Sequence, residues 1–190
     1  GEKQVLSHVS LLVERGSKVA FVGQNGQGKT TLAKMIVSEI PYEGTIKLGH
    51  NVQLGYFAQN QADYLDGELT VLDTMFNAAN DSNRMKIRDI LGSFLFRGDE
   101  VDKKVKVLSG GERNRLALAK MLLSDFNVLV MDEPTNHLDI ESIIWLEQFL
   151  TTYSGAVVIV SHDRMFLDNV TNRTIEISVG KIYDYPKPYT

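Results

Sequence analysis

The sequence contains no cysteine, which excludes a disulfide framework and a thiolate metal site and fits a reducing, cytoplasmic setting. It also lacks long apolar runs. Val128 to Met131 and Ala156 to Val160 are far short of the roughly 20 residues that cross a bilayer, so they read as buried strands and not as membrane spans. There is no surplus of positive charge: 20 Lys and Arg stand against 24 Asp and Glu, for a net charge of -4. A nucleic-acid footprint usually needs many unpaired cations, so any RNA contact would have to use a local patch or segments beyond this chain. No charged-then-apolar leader opens the sequence, which reads as the absence of a secretory signal, and the start at Gly1 reads as a cut fragment.

What is present is ordinary globular composition, 43% apolar and 23% charged over 190 residues, enough for one well-buried core spanning residues 1–190. Residues 18–22 form a short apolar run that ends at Gly23, and Leu32, Met35 and Ile36 then recur at helical spacing, giving strand, loop, helix. Residues 44–48 and 52–57 alternate around Gly49 and Asn51, which predicts an antiparallel pair. The stretch 70–96 is helical by spacing, with a polar break at 80–83, and a second stripe covers 110–123. Residues 127–131, 143–150, 156–160 and 164–170 continue as strand, helix, strand, helix, before a hairpin turning at Gly180 and a tail with Pro186 and Pro188. Strands alternating with helices predict an α/β domain with a largely parallel sheet.

Gly23-Gln24-Asn25-Gly26-Gln27-Gly28-Lys29-Thr30 matches the phosphate-loop pattern GxxxxGK[ST] between a strand and a helix. Glycines let the backbone curl so that successive N–H groups face phosphate oxygens, and the helix that follows offers its positive end. Lys29 would reach the β- and γ-phosphates, with Thr30 holding Mg²⁺ and Thr31 beside it in the nucleotide-binding set. Asp132 and Glu133 follow the apolar run 128–131, at the strand end where open α/β sheets bind ligands. Alone they read more readily as a strand ending in two solvated acids. Joined to the phosphate loop, Asp132 becomes a Mg²⁺ ligand and Glu133 the general base that orients water.

Ser109, Gly110, Gly111 and Glu112 open the helix of 110–123, and two accounts fit them. Ser109 and Glu112 have capping-box spacing, so this is either a well-capped helix or, because paired glycines are costly there, a second phosphate-binding end. His162 follows the run 156–160 and suits a γ-phosphate contact, while Gln59 could present its amide to Mg²⁺ or water. His8, His50 and His137 show no ligand spacing among themselves.

In this order the motifs resemble the ATP-binding cassette (ABC) family over essentially the whole chain. Residues 23–30 resemble its Walker A motif, Gln59 its Q-loop, residues 108–112 its signature, residues 128–133 its Walker B with catalytic glutamate, His137-Leu138-Asp139 its D-loop, and His162 its switch histidine. The resemblance implies a P-loop NTPase fold with a mostly parallel core sheet, an antiparallel β subdomain and a helical subdomain at about 66–123. It implies ATP and Mg²⁺ as ligands, and a second cassette, in the same polypeptide or as a homodimer, whose signature completes each ATP site in trans. Tyr56-Phe57-Ala58-Gln59, residues 133–139 and residues 161–168 resemble the ABC-F branch, which has two cassettes and no membrane domains and acts on the ribosome. The stretch 89–106 resembles the helical region of a second, C-terminal cassette. The alternative within the family is the motor subunit of a membrane transporter, and a different class is an ATP-gated clamp that binds without hydrolysing. In two respects the chain departs from the family pattern. The aromatic that stacks on adenine precedes a segment like 1–6, so the chain starts after it, and Glu112 replaces the Gln common in transporters.

Overall fold

A computed structural model describes residue 6 and residues 9–24, 28–136 and 138–189. The chain divides into two compact units, one of residues 1–59, 126–136 and 143–190, the other of residues 60–125 and 137–142.

The first unit is built on a six-stranded sheet. Its strands are β1 (Lys18–Val22), β2 (Leu54–Phe57), β3 (Val128–Asp132), β4 (Ala156–Val160), β5 (Arg173–Ser178) and β6 (Lys181–Tyr185), in spatial order β2-β3-β4-β1-β5-β6. All neighbouring pairs are parallel except β5 and β6, which form the antiparallel hairpin around Val179 and Gly180. The middle strands are apolar along nearly their whole length because they are covered on both faces, as parallel strands usually are. Every residue of β4 is buried, and β1 and β3 are buried after their first residue. Val19, Phe21, Val130, Val158, Ile175 and Ile177 meet Leu32 and Ala33 of α1 (Lys29–Ile36) in one core.

The predicted antiparallel pair of 44–48 with 52–57 does not form. Residues 44–48 carry no strand and are almost wholly exposed, so nothing buried holds them in an extended ladder, and Gly44 turns at φ 109°. Residues 54–57 instead find a parallel partner in β3, Leu54 opposite Val128 and Phe57 opposite Met131. Gly55 serves that pairing, since a Cβ there would come within 2.6 Å of the Phe126 ring.

The second unit holds α2 (Val71–Ala78), α3 (Ile87–Ser93) and α4 (Gly110–Met121). Val71, Met75, Ile87, Leu91, Leu116 and Leu118 supply its buried apolar side chains at helical spacing. Thr70 caps α2 by accepting the Asp73 N–H at 3.0 Å, and the backbone of 69–71 is tied to 103–105 by Val71 N–H to Lys103 O and Val105 N–H to Leu69 O, both 2.9 Å. The helical reading of 89–106 holds only to Ser93. Beyond it α3 ends in a Schellman turn, with Leu95 at φ 68° and the Phe96 N–H on Leu91 O, and short 3-10 turns follow at Gly98–Asp102 and Val105–Val107. Two further helices follow β3 and β4 in the chain, α5 (Ile140–Thr152) and α6 (Arg164–Val170).

Candidate functional site: a phosphate loop and its carboxylates

The order β3-β4-β1 places the ends of three parallel strands side by side, and each delivers one part of the site. β1 gives way at Gly23, whose φ of 148° and contact with β5 leave no room for a side chain, because a Cβ there would overlap the Ile177 carbonyl oxygen. Gly28, at φ 103°, then starts α1 without any side-chain cap, so its first N–H groups are left for an anion.

Lys29 is buried, and its ammonium donates to Gly23 O at 2.8 Å and lies 3.3 Å from both ring nitrogens of His162. Burial holds the Lys29 pKa below its ordinary value, opposed by the charges of Glu133 and Asp132. On β3, Asp132 is buried and accepts the Thr30 hydroxyl at 3.3 Å. Desolvation pushes its carboxyl upward, with the Thr30 hydrogen bond and the Lys34 and Lys29 charges pulling the other way.

Glu133 leaves the strand in the left-handed region, φ 48°, with its N–H on Val160 O at 2.7 Å. A non-glycine residue held there stores roughly 1–3 kcal/mol of backbone strain, a feature that clusters at active sites. Its carboxylate, only 10% exposed, reaches His162 Nε2 at 3.2 Å, and burial raises its pKa against the pull of His162 and Lys29. The residues flanking His162 are themselves bonded: Asp163 accepts the Phe166 N–H at 3.0 Å to cap α6 and donates its own N–H to Ser161 Oγ at 3.0 Å. A cavity of about 520 Å³ opens against Gly23, Gln24, Ser161 and His162.

Lys29, Thr30, Asp132, Glu133 and His162, all expected from the sequence, fall into two bonded sets, Lys29–His162–Glu133 and Thr30–Asp132, coupled by the charges of Lys29, Asp132 and Glu133. Asn25, Gly26, Gln27 and His137 lie outside the described residues. Thr31 is half-buried in α1. Gln59 is exposed two residues past β2, whose pairing with β3 runs it alongside the end carrying Asp132. The sequence did not reveal Tyr56, which that same pairing brings beside Asp132. Its hydroxyl is pushed up to about 12 by burial, then by Asp132 and Glu39. Only the strand register, which no local pattern encodes, could have shown it.

In the second unit, Ser109 and Glu112 form a full capping box, the Ser109 hydroxyl accepting the Glu112 N–H and the Glu112 carboxylate the Ser109 N–H, both at 3.1 Å. Gly110 is the first residue of α4 and Gly111 is buried behind it. Asp139 accepts the Ser142 N–H at 2.8 Å, and its carboxyl is held below the usual range chiefly by Ser142.

The donor set fits a magnesium ion. Mg²⁺ takes hard oxygens, keeps several waters and is usually held by one or two protein oxygens plus phosphates. Thr30 Oγ1 and Asp132 Oδ1 are such a pair, 3.3 Å apart. Among the described residues no group of three or more His, Cys, Asp or Glu could cage a metal.

Comparison with known proteins agrees with this geometry. The family profile described as ABC transporter matches residues 6–136. The chain is 46% identical to ABC transporter F family member 5 of Arabidopsis thaliana over 190 residues, covering 99% of this chain and 28% of that protein. It is 45% identical to the putative ATP-binding protein YdiF of Bacillus subtilis over 186 residues, 97% of this chain and 29% of that protein. With the ATP-binding protein Uup of Haemophilus influenzae it shares 48% identity over 173 residues, 88% of this chain and 26% of that protein. The chain therefore spans less than a third of the length of these relatives. With a phosphate-loop lysine after β1, two acids at the end of β3 and a family profile covering most of its length, the chain belongs to the ABC transporter family, as an ATP-binding cassette of the ABC-F type.

Proposed function

We propose that this cassette binds Mg·ATP and hydrolyses its terminal phosphate, and that it does so closed against a second cassette of the same polypeptide. The observation that carries the reading is that the His162 ring stands 3.3 Å from the Lys29 ammonium and 3.2 Å from the Glu133 carboxylate, in the segments that follow β4, β1 and β3. Lys29 now rests on the Gly23 carbonyl and the His162 ring. A γ-phosphate is the stronger acceptor, since a bond between two ionised groups exceeds one to a neutral oxygen, so the ammonium exchanges these contacts for phosphate. The amides of 23–28 and the start of α1 would share that charge.

Bound Mg²⁺ would be held by Thr30 and Asp132 and would neutralise charge on the phosphate oxygens. Glu133 orients the attacking water and takes its proton as the oxygen bonds to the γ-phosphorus. The bond to the bridging oxygen of ADP breaks, and the products are ADP and inorganic phosphate. Its raised carboxyl pKa makes it a better proton acceptor than an exposed glutamate. The His162 ring, within reach of both Glu133 and Lys29, fixes the carboxylate beside the γ-phosphate. The work is positioning and electrostatics, which is most of phosphoryl-transfer catalysis.

Ser109 and Gly111 of the partner cassette would complete the γ-phosphate shell, which gives α4 its purpose. The two compact units are read as the core and helical subdomains of one cassette, and the chain as the second cassette of a two-cassette, ribosome-associated protein working in the cytoplasm. Resemblance to the ABC-F branch supports this, as do relatives named for that branch. Among the described residues, no helix is long and apolar enough to cross a membrane.

Glu133→Gln in the intact protein tests the reading. Turnover should fall about 10²- to 10⁴-fold, the usual worth of a positioned base, while an ATP-bound closed form accumulates. Equal turnover in the two proteins would remove Glu133 as the base, and failure of the closed form to accumulate would remove the sandwich.

A further inference from the structure

The signature helix has a neighbour that phosphate binding does not require. A Cβ built on Gly111 would overlap the Ser142 hydroxyl, with Ser142 Cβ at 3.0 Å and Asp139 Oδ1 at 3.7 Å. Gly111 is therefore glycine because α4 touches the first turn of α5, whatever else approaches it.

Arg115, one turn further along α4, reaches the same point. Its Nη1 donates to Ser142 Oγ at 3.3 Å and its Nε to the Phe94 carbonyl at 3.1 Å, with the guanidinium 5.6 Å from the Phe96 ring centre. Phe96 and Ser142 are buried, so both anchors are fixed. A guanidinium only donates. Ser142 Oγ must then accept from Arg115, and its single proton is free for Asp139, which the Ser142 side chain also bonds. Asp139 takes the Ser142 N–H as well, at 2.8 Å. The relay runs one way, Arg115 to Ser142 to Asp139, and all three belong to one compact unit.

We infer that Arg115 and Ser142 are positioning residues that lock the loop at Leu138 and Asp139 onto the N-terminal turn of α4, making that loop and the signature one rigid piece. The inference rests on the ATP-sandwich reading above. Neither residue touches nucleotide. The lock acts after ATP is taken up, when a partner's γ-phosphate is presented to Ser109 and Gly111 and the loop must already be in place. Arg115 has the reach for it: two of its donors are spent on two different segments, the end of α3 and the start of α5, which a lysine ammonium on a flexible stem would not hold in a fixed plane.

The test uses the intact protein with Ser142→Ala, Arg115→Met and the double variant, the methionine keeping an apolar stem over Phe96. Each single variant should lower kcat about ten- to a hundredfold, the cost of slight misplacement, while nucleotide affinity in the Glu133→Gln background stays within about twofold. The double variant should be no slower than the worse single one, because both break one relay. Unchanged kcat in both singles, or additive losses in the double, would overturn the positioning role. So would a loss confined to nucleotide affinity, or a drop in melting temperature that accounts for the lost activity, since either marks a merely structural contact. Wild-type protein that neither takes up nor turns over ATP would instead sink the ATPase reading, and this inference with it, and that result shows in the wild-type arm alone.

Discussion

Gly23 shows how much one residue's backbone decides here. Its φ of 148° and the Ile177 carbonyl pressed against its Cα forbid any side chain, and the same residue supplies the carbonyl on which Lys29 rests. Gly23→Ala should therefore do two things at once: lower stability by roughly 1–3 kcal/mol through strain at a forbidden φ, and weaken nucleotide uptake. Denaturant melts and ATP titration of the same protein check both, and an unaffected titration would detach the loop's geometry from its function. Glu133 is the opposite case, a side chain held in the left-handed region where glycine would be relaxed, and the role proposed for its carboxylate at the end of β3 would account for it.

At the scale of elements, α4 separates two explanations that the sequence alone leaves open. Its capping box is fully formed, and α2 offers an ordinary control in Thr70, which caps without any glycine pair behind it. Ser109→Ala and Thr70→Ala should each cost about 1 kcal/mol in stability, the usual worth of a cap, yet only Ser109→Ala should reduce ATP turnover in the intact protein. Equal turnover in both would leave α4 as a capped helix and nothing more. The hairpin of β5 and β6 makes a pH prediction. Arg173 donates to Asp184 at 2.9 Å through Nε and 2.5 Å through Nη2 and holds that carboxyl below its usual range. Stability from this pair is therefore present above about pH 3.9, the ordinary carboxylate value, and is lost as pH falls through the lowered folded value. Because Asp184 is 47% exposed, the gain is screened to at most about 1 kcal/mol. Urea melts across neutral and acid pH should show Asp184→Asn weaker at pH 7, with the deficit shrinking as the pH falls below about 3.9.

Much of this was legible in the residues. β1, β4 and α6 occupy the residues their apolar patterns mark out, because each is a buried run or stripe bounded by Gly, Ser-His-Asp or Thr. Lys29, Asp132, Glu133 and His162 could be placed because each lies at the end of such a run. The antiparallel pair at 44–57 was misread, since alternation records which faces could be buried and not which strand becomes the neighbour. Tyr56 beside Asp132, and Ser142 under Gly111, are products of register and helix contact between residues far apart in the chain.

For the whole molecule, charge sets the terms. The chain carries a net charge of -4 and sets the charges of Asp132 and Glu133 near the buried Lys29 ammonium, so its acids would repel a polyphosphate that the open end of α1 would attract, which is where the proposed divalent cation would act. The chain spans less than a third of the length of the relatives named above, so the test is made on the full-length protein. The account is tested most directly by calorimetric titration of that protein with ATP, with and without Mg²⁺, beside Lys29→Ala. It predicts magnesium-dependent uptake that Lys29→Ala weakens by about ten- to a hundredfold at this cassette, the worth of one charge-assisted hydrogen bond. Uptake that is absent from the wild type, or untouched by Lys29→Ala, would contradict it.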